Sequence, residues 1–348
     1  MNAQQFASDN YAGICPEAMT AMAEANAGSA SGYGDDAWTR RATDAVRAVF
    51  DTECEVFLVF NGTAANALAL AACCQSYHAV ICAERAHVDV DEASAPEFFS
   101  GGAKLLVARG ADGKLTASDV ISMASARSDV HFAKPRAVTI SQTTENGLVY
   151  APDTVAEIGA ACRARGLYLH MDGARFANAV AALDCHPADV TWKAGVDVLS
   201  FGGTKNGMAM SEAVVFFNRA LAEDFAWRRK QAGQLASKMR FMAAPWAAML
   251  PSGGWLANAR HANAGARRFA AAVARIEPRW LRYPNEANGV FLGLPEAVAA
   301  GLRARGWVFY TFAGNVSRFM FGWDAEAARI DALAADLAEL YAATAHAA

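Results

Sequence analysis

The stretch Val198-Leu199-Ser200-Phe201-Gly202-Gly203-Thr204-Lys205-Asn206-Gly207 leads an apolar run directly into a glycine-rich turn that carries one lysine. Between residues 56 and 217, short apolar runs of this kind alternate with alanine-rich segments of helical period. Such alternation predicts a mostly parallel sheet with helices on both faces, and the ligands of such sheets lie beyond the carboxyl ends of the strands. The seven candidate strands are residues 56–60, 79–83, 104–108, 137–142, 168–171, 196–201 and 213–217.

The character of the sequence changes after Pro245, where a break at residues 250–255 precedes a long alanine-rich helix. Three alternating segments follow, at residues 289–294, 307–312 and 317–323, and then a helix at 325–345. A chain of 348 residues also exceeds a typical single core. We therefore predict an N-terminal arm and large domain at residues 1–245 and a smaller α+β domain at residues 246–348.

Composition excludes several classes of partner. Apolar residues make up 54% of the chain and charged residues 19%, as in a well-packed enzyme, and the net charge is −4 without any block of like charges. Nucleic acid and anionic membranes are therefore not expected partners. The seven cysteines lack C-x-x-C spacing, and neither a signal peptide nor an apolar run long enough to span a bilayer is evident. These features predict a cytoplasmic protein.

Two candidate strand ends carry complementary chemistry. The run at residues 168–171 ends in Asp172, and the next candidate strand delivers Lys205 in its glycine-rich turn. A lysine amine forms an imine with an aldehyde cofactor, and a carboxylate keeps a pyridine nitrogen protonated so that the ring accepts electrons. The pair therefore predicts pyridoxal phosphate (PLP), whereas either residue alone is explained equally well as an ordinary strand-end polar group.

Three further positions gain meaning from this pair. Gly62 and Thr63 begin an alanine-rich helix after a strand, which suits a phosphate but also an ordinary helix start. Arg175 follows Asp172 and can bind a carboxylate with two hydrogen bonds, although it is also explained as a solvated arginine. His87 follows a strand and can stack on an aromatic cofactor or have a purely structural role. The pattern alone gives His131 no role.

The chain resembles the low-specificity L-threonine aldolases of PLP fold type I, the superfamily of aspartate aminotransferase. The resemblance runs nearly end to end and rests on eight ordered motifs: Ser8-Asp9-Asn10-Tyr11-Ala12-Gly13, Gly32-Tyr33-Gly34-Asp35-Asp36, Gly62-Thr63-Ala64-Ala65-Asn66, His131-Phe132-Ala133, Glu145-Asn146-Gly147, His170-Met171-Asp172-Gly173-Ala174-Arg175, Gly203-Thr204-Lys205-Asn206-Gly207 and Lys238-Met239-Arg240. It implies cleavage of β-hydroxy-α-amino acids such as L-threonine, L-allo-threonine and phenylserine to glycine and an aldehyde.

The resemblance also implies a role for each matching residue. Lys205 is the Schiff-base lysine, Asp172 the partner of the pyridine nitrogen and His87 the group stacked on the ring. Gly62, Thr63 and, from a neighbouring subunit, Arg240 bind the phosphate; Ser8, Arg175 and Arg318 bind the substrate carboxylate; His131 lies near the substrate hydroxyl, and Tyr33 lines the site of the adjacent chain. Family members are typically tetramers built from dimers that share sites at an interface, so a homotetramer is expected.

Two segments depart from the commoner family pattern. Residues 142–147 read Gln-Thr-Thr-Glu-Asn-Gly where the family more often has Glu-Asn-Thr-His, and the lysine turn at 201–207 matches one subgroup only. Both departures bear on which side chain the site accepts. The base that removes the β-hydroxyl proton is left open among His87, His131 and a bound water.

Competing functions remain distinguishable. A β-eliminating lyase or a phenylserine-selective aldolase would use the same Lys205 and Asp172 with a different side-chain pocket. A dinucleotide-binding oxidoreductase requires G-x-G-x-x-G after its first strand, and the chain has no such motif. The hypothesis of a non-catalytic binding protein does not explain why an imine-forming lysine, an aspartate for the ring nitrogen and carboxylate-binding arginines occur together in this order.

Overall fold

A computed structural model describes residues 4–312 and 314–345 of the chain. Its helices alternate with strands through the first two thirds of the sequence, as the apolar pattern predicts. The helices are α1 (Pro16–Ala25), α2 (Ala37–Phe50), α3 (Gly62–Cys73), α4 (His87–Val90), α5 (Ala95–Phe99), α6 (Ala117–Ser125), α7 (Pro152–Arg163), α8 (Phe176–Leu183), α9 (Phe225–Gln231), α10 (Arg240–Ser252), α11 (Gly254–Ile276), α12 (Glu296–Ala304) and α13 (Ala327–Ala345).

A seven-stranded sheet forms the centre of the large domain, which confirms the predicted α/β fold. Its strands are β1 (Glu55–Val59), β2 (His78–Ala83), β3 (Lys104–Ala108), β4 (Lys134–Ser141), β5 (Tyr168–Gly173), β6 (Val198–Gly202) and β7 (Glu212–Phe216). They lie in the order β1-β7-β6-β5-β4-β2-β3. Only β7 runs against its neighbours, so β1 and β6 point the same way as β2 to β5.

The inner strands are apolar because helices cover both faces of the sheet. Every residue of β2 and of β6 is buried, which leaves no face for alternating polar side chains. The predicted strands all occur, with ends displaced by one to three residues where pairing rather than apolarity sets the end. Lys134, for example, begins β4 because it pairs with His78, the first residue of the neighbouring β2.

A three-stranded antiparallel sheet forms the centre of the smaller C-terminal domain. It contains β8 (Gly289–Gly293), β9 (Tyr310–Phe312) and β10 (Val316–Met320) in the order β8-β10-β9. The segment predicted as one strand at 307–312 is divided between two partners. Val308 pairs in parallel with Gln5 of the N-terminal arm, and only the last three residues pair with β10.

Three large apolar cores pack against these sheets, and one of them, with Leu68, Phe216 and Phe225, lies between the large sheet, α3 and α9. The other two meet along α11. One contains Phe201 and Trp246 and extends into the first half of α11; the other begins at Ala266 in the second half of that helix and includes Phe6 of the arm. The division of the chain after residue 245 stays a prediction. Over the described ranges, no helix combines the length and apolarity needed to cross a bilayer. All seven cysteines are free thiols, and six of them are buried.

Candidate active site

The carboxyl ends of the co-directional strands bring most of the predicted site residues to one edge of the large sheet. Asp172 lies in β5, where it pairs with Ser141 of β4 and Ser200 of β6. His87 follows β2, Lys205 follows β6 and Gly62 follows β1. Parallel strands place their ends at the same edge, and this is the expected location of a ligand site.

The start of α3 has the properties of a phosphate site. Asn61 caps this helix, and its side chain accepts a hydrogen bond of 2.9 Å from the Ala64 N–H. The N–H groups of Gly62 and Thr63 make no hydrogen bond within the described part of the chain, as expected for the first turn of a helix. A side chain at Gly62 would meet no atom within 4 Å, so an anion can approach the backbone there.

A buried polar network surrounds Asp172. The Asn66 side-chain amide donates to Asp172 Oδ2 at 3.0 Å and to Glu92 Oε1 at 2.8 Å, and the Ala174 N–H donates to Asp172 Oδ1 at 3.0 Å. The same Glu92 oxygen lies 2.7 Å from Nδ1 of His87. Asn66 therefore joins the predicted partner of the ring nitrogen to the predicted stacking residue.

The charges in this network favour a protonated imidazole. Burial opposes the charged form of His87, but the hydrogen bond to Glu92 and the charges of Asp172 and Glu145 raise its pKa overall. Burial, assisted by the charge of Asp172, also raises the pKa of Glu92. The His87–Glu92 pair can thus hold a proton next to the strand ends.

The turn that carries Lys205 is fixed by close packing. A side chain at Gly203 would lie 2.6–2.7 Å from Met208, Ser211 and Trp246, so only glycine fits. Lys205 itself is half-buried, and its amine has no hydrogen bond or ion pair with any residue that the structure describes. Its charge helps to lower the pKa of Asp9 and opposes the rise in the pKa of Glu212. A free amine in this position is available to a ligand.

Two arginines meet above this edge. Arg175 is buried and donates two hydrogen bonds to Asp9, from Nε at 2.7 Å and from Nη2 at 2.9 Å. Arg318 donates from Nη2 to the Ala7 carbonyl at 3.2 Å, while its buried Nε has no hydrogen-bond partner among the described residues. Burial and the charge of Arg175 lower the pKa of Arg318. An unsatisfied donor beside a second cation indicates an anion-binding site.

A cleft of about 720 Å³ opens beside Arg318. Ser8, Glu145 and Arg318 line its polar side. Tyr310 and Phe312 belong to its apolar side, and the Arg318 guanidinium lies 5.5 Å and 5.1 Å from their ring centroids. A small molecule with a carboxylate and an apolar or hydroxylated side chain fits this division of the cleft.

The prediction for His131 is not supported by its place in the fold. His131 is exposed and lies three residues before the start of β4, so it is at the opposite edge of the sheet from Asp172. The eight residues of β4 separate the two edges by about 25 Å. Within one chain, His131 therefore cannot reach a ligand held by Lys205.

Tyr33 and Arg240 also lie outside the cleft of their own chain. Tyr33 is 56% exposed, with the Lys230 amine 4.8 Å from its ring centroid. Arg240 donates to the Gly28 carbonyl at 3.1 Å near the surface. Their assignment to the site of a neighbouring subunit stays a prediction.

The structure adds four residues to the site for which the sequence predicted no role: Asp9, Asn66, Glu92 and Glu145. Three of them stand inside the quoted motifs, which is the only sequence signal for them. Glu92 follows His87 by five residues, across the short α4, and nothing in that spacing marks it as a partner.

Comparison with known proteins shows the family of the chain. A family model described as "Beta-eliminating lyase" matches residues 5–294. The low specificity L-threonine aldolases of Pseudomonas aeruginosa and of a Pseudomonas species are 61% and 60% identical over 335 residues, and each match covers 96% of this chain and 97% of the relative.

Solved structures show the same fold. A threonine aldolase from Leishmania major, 27% identical, matches with a TM-score of 0.91 over 97% of this chain and 99% of its own. Rice TDC, solved with PLP, matches with a TM-score of 0.76 over 98% of this chain and 83% of its own. At 15% identity, that second likeness concerns the fold alone.

Proposed function

This chain belongs to the low-specificity L-threonine aldolases within the β-eliminating lyase family. We propose that it uses PLP to cleave β-hydroxy-α-amino acids to glycine and an aldehyde. The proposed substrates are L-threonine, L-allo-threonine and related amino acids, including phenylserine. The observation that carries the proposal is the half-buried, unpartnered Lys205 amine one strand away from the buried Asp172 carboxylate. When bound, PLP supplies the electron sink for breaking the Cα–Cβ bond.

The residues at the sheet edge fit this cofactor. Lys205 would attach it, Asp172 would pair with its ring nitrogen and His87 would stack on its ring. Gly62 and Thr63 would bind its phosphate with the free N–H groups of the first helical turn. The amide of Asn66 and the Ala174 N–H already hold the Asp172 carboxylate in one orientation, so it needs no rearrangement to receive a pyridinium.

The substrate carboxylate would bind between Ser8, Arg175 and Arg318. The unsatisfied Nε of Arg318 supplies a donor, and Asp9 occupies two donors of Arg175 while leaving Nη1 available. Asp9 thus orients Arg175 and neutralises its positive charge. The single carboxylate of the substrate is then enough to balance the charge of Arg318.

On the hydroxyl side, we propose Glu145 as the residue nearest to the substrate side chain. It lines the cleft with Ser8 and Arg318, and its carboxylate has no hydrogen bond or ion pair among the described residues. Its charge contributes to the raised pKa of His87. A carboxylate here can accept a hydrogen bond from a β-hydroxyl and pass the proton towards the His87–Glu92 pair.

We further propose a cytoplasmic homotetramer built from dimers. The exposed Tyr33 ring and the outward position of Arg240 support the view that both residues complete the site of a neighbouring subunit. The seven free thiols favour a reducing compartment. The expected partner is a small amino-acid substrate, not nucleic acid or a membrane.

The proposal is tested with the variant Lys205→Ala. It should lose both the visible absorbance of lysine-bound PLP and the release of glycine and acetaldehyde from L-threonine. Lys193→Ala is the matched control, because Lys193 is exposed and paired with Asp189, and it should keep both. Retention of lysine-bound absorbance in the Lys205 variant would contradict the proposal. Release of 2-oxobutanoate and ammonia from L-threonine, in place of glycine and acetaldehyde, would identify a β-eliminating enzyme.

A further inference from the structure

A buried carboxylate lies beneath the lysine turn and has no part in the function so far described. Glu212 is the first residue of β7 and pairs with Val59 at the end of β1 and with Gly202 at the end of β6. The first of these strands leads to Gly62, and the second leads to Lys205. Glu212 therefore lies between the two chain segments that would hold the phosphate and the aldehyde carbon of PLP.

The contacts of Glu212 are made with the lysine turn. The Gly203 N–H donates to Glu212 Oε2 at 2.6 Å, and the hydroxyl and N–H of Thr204 also favour its charged form. Lys205 is the cation whose charge acts on it, and Glu212 has no salt bridge within the described ranges. The charge of Lys205 also acts on Asp9, but Arg175 already neutralises that carboxylate through two hydrogen bonds.

The backbone next to Glu212 is held under constraint. Ser211 has a φ of +118°, a region that side chains disfavour, and its N–H donates to the Phe60 carbonyl at 3.2 Å. Its hydroxyl accepts a hydrogen bond of 2.9 Å from the indole of Trp246. These contacts tie the end of β1 and the lysine turn to the same point, and strained backbone of this kind concentrates at functional sites.

A buried carboxylate at this position destabilises the fold more than a neutral side chain would, if its role is only structural. Burial raises the pKa of Glu212 to about 7, against the hydrogen bonds from Thr204 and Gly203 and the charge of Lys205, which lower it. A neutral glutamine would accept the same hydrogen bond from Gly203 without the cost of burying a charge. Glutamate differs from glutamine here in the negative charge that it carries once it is ionised, beside the Lys205 turn.

We propose that Glu212 is a positioning residue that fixes the Lys205 turn relative to the phosphate-binding turn and supplies a buried negative charge favouring the protonated form of the Lys205 nitrogen. The inference rests on the proposed attachment of PLP to Lys205. It predicts that removing the charge alters the protonation of lysine-bound PLP even when the turn keeps its structure.

The test compares Glu212→Gln, which keeps the hydrogen-bond acceptor, with Glu212→Asp, which keeps the charge one methylene farther from the turn. Glu55→Gln is the control, because Glu55 lies at the other end of the β1–β7 pair and binds the exposed Arg219. Each protein is loaded with PLP, and its visible absorbance is titrated with pH. The Gln variant should titrate about one pH unit or more below wild type, since a nearby opposite charge shifts a pKa by roughly 1–3 units. The Asp variant should shift less, and the Glu55 variant should match wild type.

A folded Gln variant with the wild-type midpoint and wild-type PLP dissociation constant would overturn the inference. Circular dichroism establishes folding. Should the Gln variant not fold, Glu212→Met replaces it, because methionine removes the charge at a similar side-chain volume, and a wild-type midpoint in a folded Met variant overturns the inference equally. Failure of the proposed function is a separate outcome, because wild-type protein would then show no absorbance that Lys205→Ala removes.

Discussion

The buried pair of Arg175 and Asp9 gives the sharpest stability prediction. Their side chains are 9% and 0% exposed, and two hydrogen bonds of 2.7 and 2.9 Å join them. In Asp9→Ala, Arg175 keeps its charge without a partner, close to Arg318, and the Asn288 amide loses the acceptor that it reaches at 3.0 Å. Breaking a buried pair from one side costs about 3–5 kcal/mol. The Asn288 amide keeps its second acceptor, the Phe321 carbonyl at 2.9 Å, so the loss of Asp9 as its acceptor adds little to that cost.

The chain contains a matched pair on its surface. Arg268 donates from Nε to Asp331 at 2.6 Å and from Nη2 to its second oxygen, but the two side chains are 52% and 55% exposed. Asp331→Ala should therefore lose far less stability, because water solvates the freed Arg268. Urea unfolding of the cofactor-free proteins at one protein concentration measures both losses, with Asp9→Asn expected between wild type and Asp9→Ala. Equal losses in the two alanine variants would refute the reasoning from burial.

Two further outcomes follow from the site. Glu92→Gln should lower the pKa of His87, because the hydrogen-bonded carboxylate favours the imidazolium. In the wild-type protein, the free energy of unfolding that protonated His87 contributes is fully present below its ordinary pKa of 6.5. It is lost as the pH rises through the raised pKa that His87 has in the folded protein. Ring NMR titration checks the shift, and an unmoved His87 titration would contradict it. Arg318→Gln should raise KM for L-threonine roughly 10- to 100-fold, the value of about 1.5–3 kcal/mol for a hydrogen bond to a charged group. Steady-state kinetics test this, and a fall in kcat at constant KM would argue against carboxylate binding.

The sheet could be predicted from the sequence because its strands are buried on both faces. In a run such as residues 198–202, polar and apolar residues do not alternate, which distinguishes a fully buried strand from a surface strand. Because such strands alternate with helices along the chain, a mostly parallel sheet is expected. Pairing that depends on distant partners could not be predicted in this way. The bridge between Gln5 and Val308, which divides the strand expected at 307–312, joins residues from opposite ends of the chain.

The site shows the same limit. Lys205, Asp172, His87 and Gly62 could be placed because each follows or ends a strand at one edge of the sheet. His131 precedes its strand, and strand direction alone would have assigned it to the other edge. Arg175 and Asp9 are 166 residues apart in the sequence, and no local pattern of residues predicts a contact between such distant positions.

The N-terminal arm has a consequence for the time at which the site can exist. Phe6 is bonded to Val308 and Met320 through its backbone, and the arm thereby carries Ser8 and Asp9 to the cleft. These residues are synthesised long before Val308 and Arg318, which follow the whole large sheet in the sequence. A nascent chain can complete the large sheet, with Lys205 and Asp172 at its edge, well before the substrate carboxylate has a place to bind. Substrate recognition is therefore a property that the polypeptide acquires only after the strand that carries Arg318 has been synthesised and has folded onto the arm.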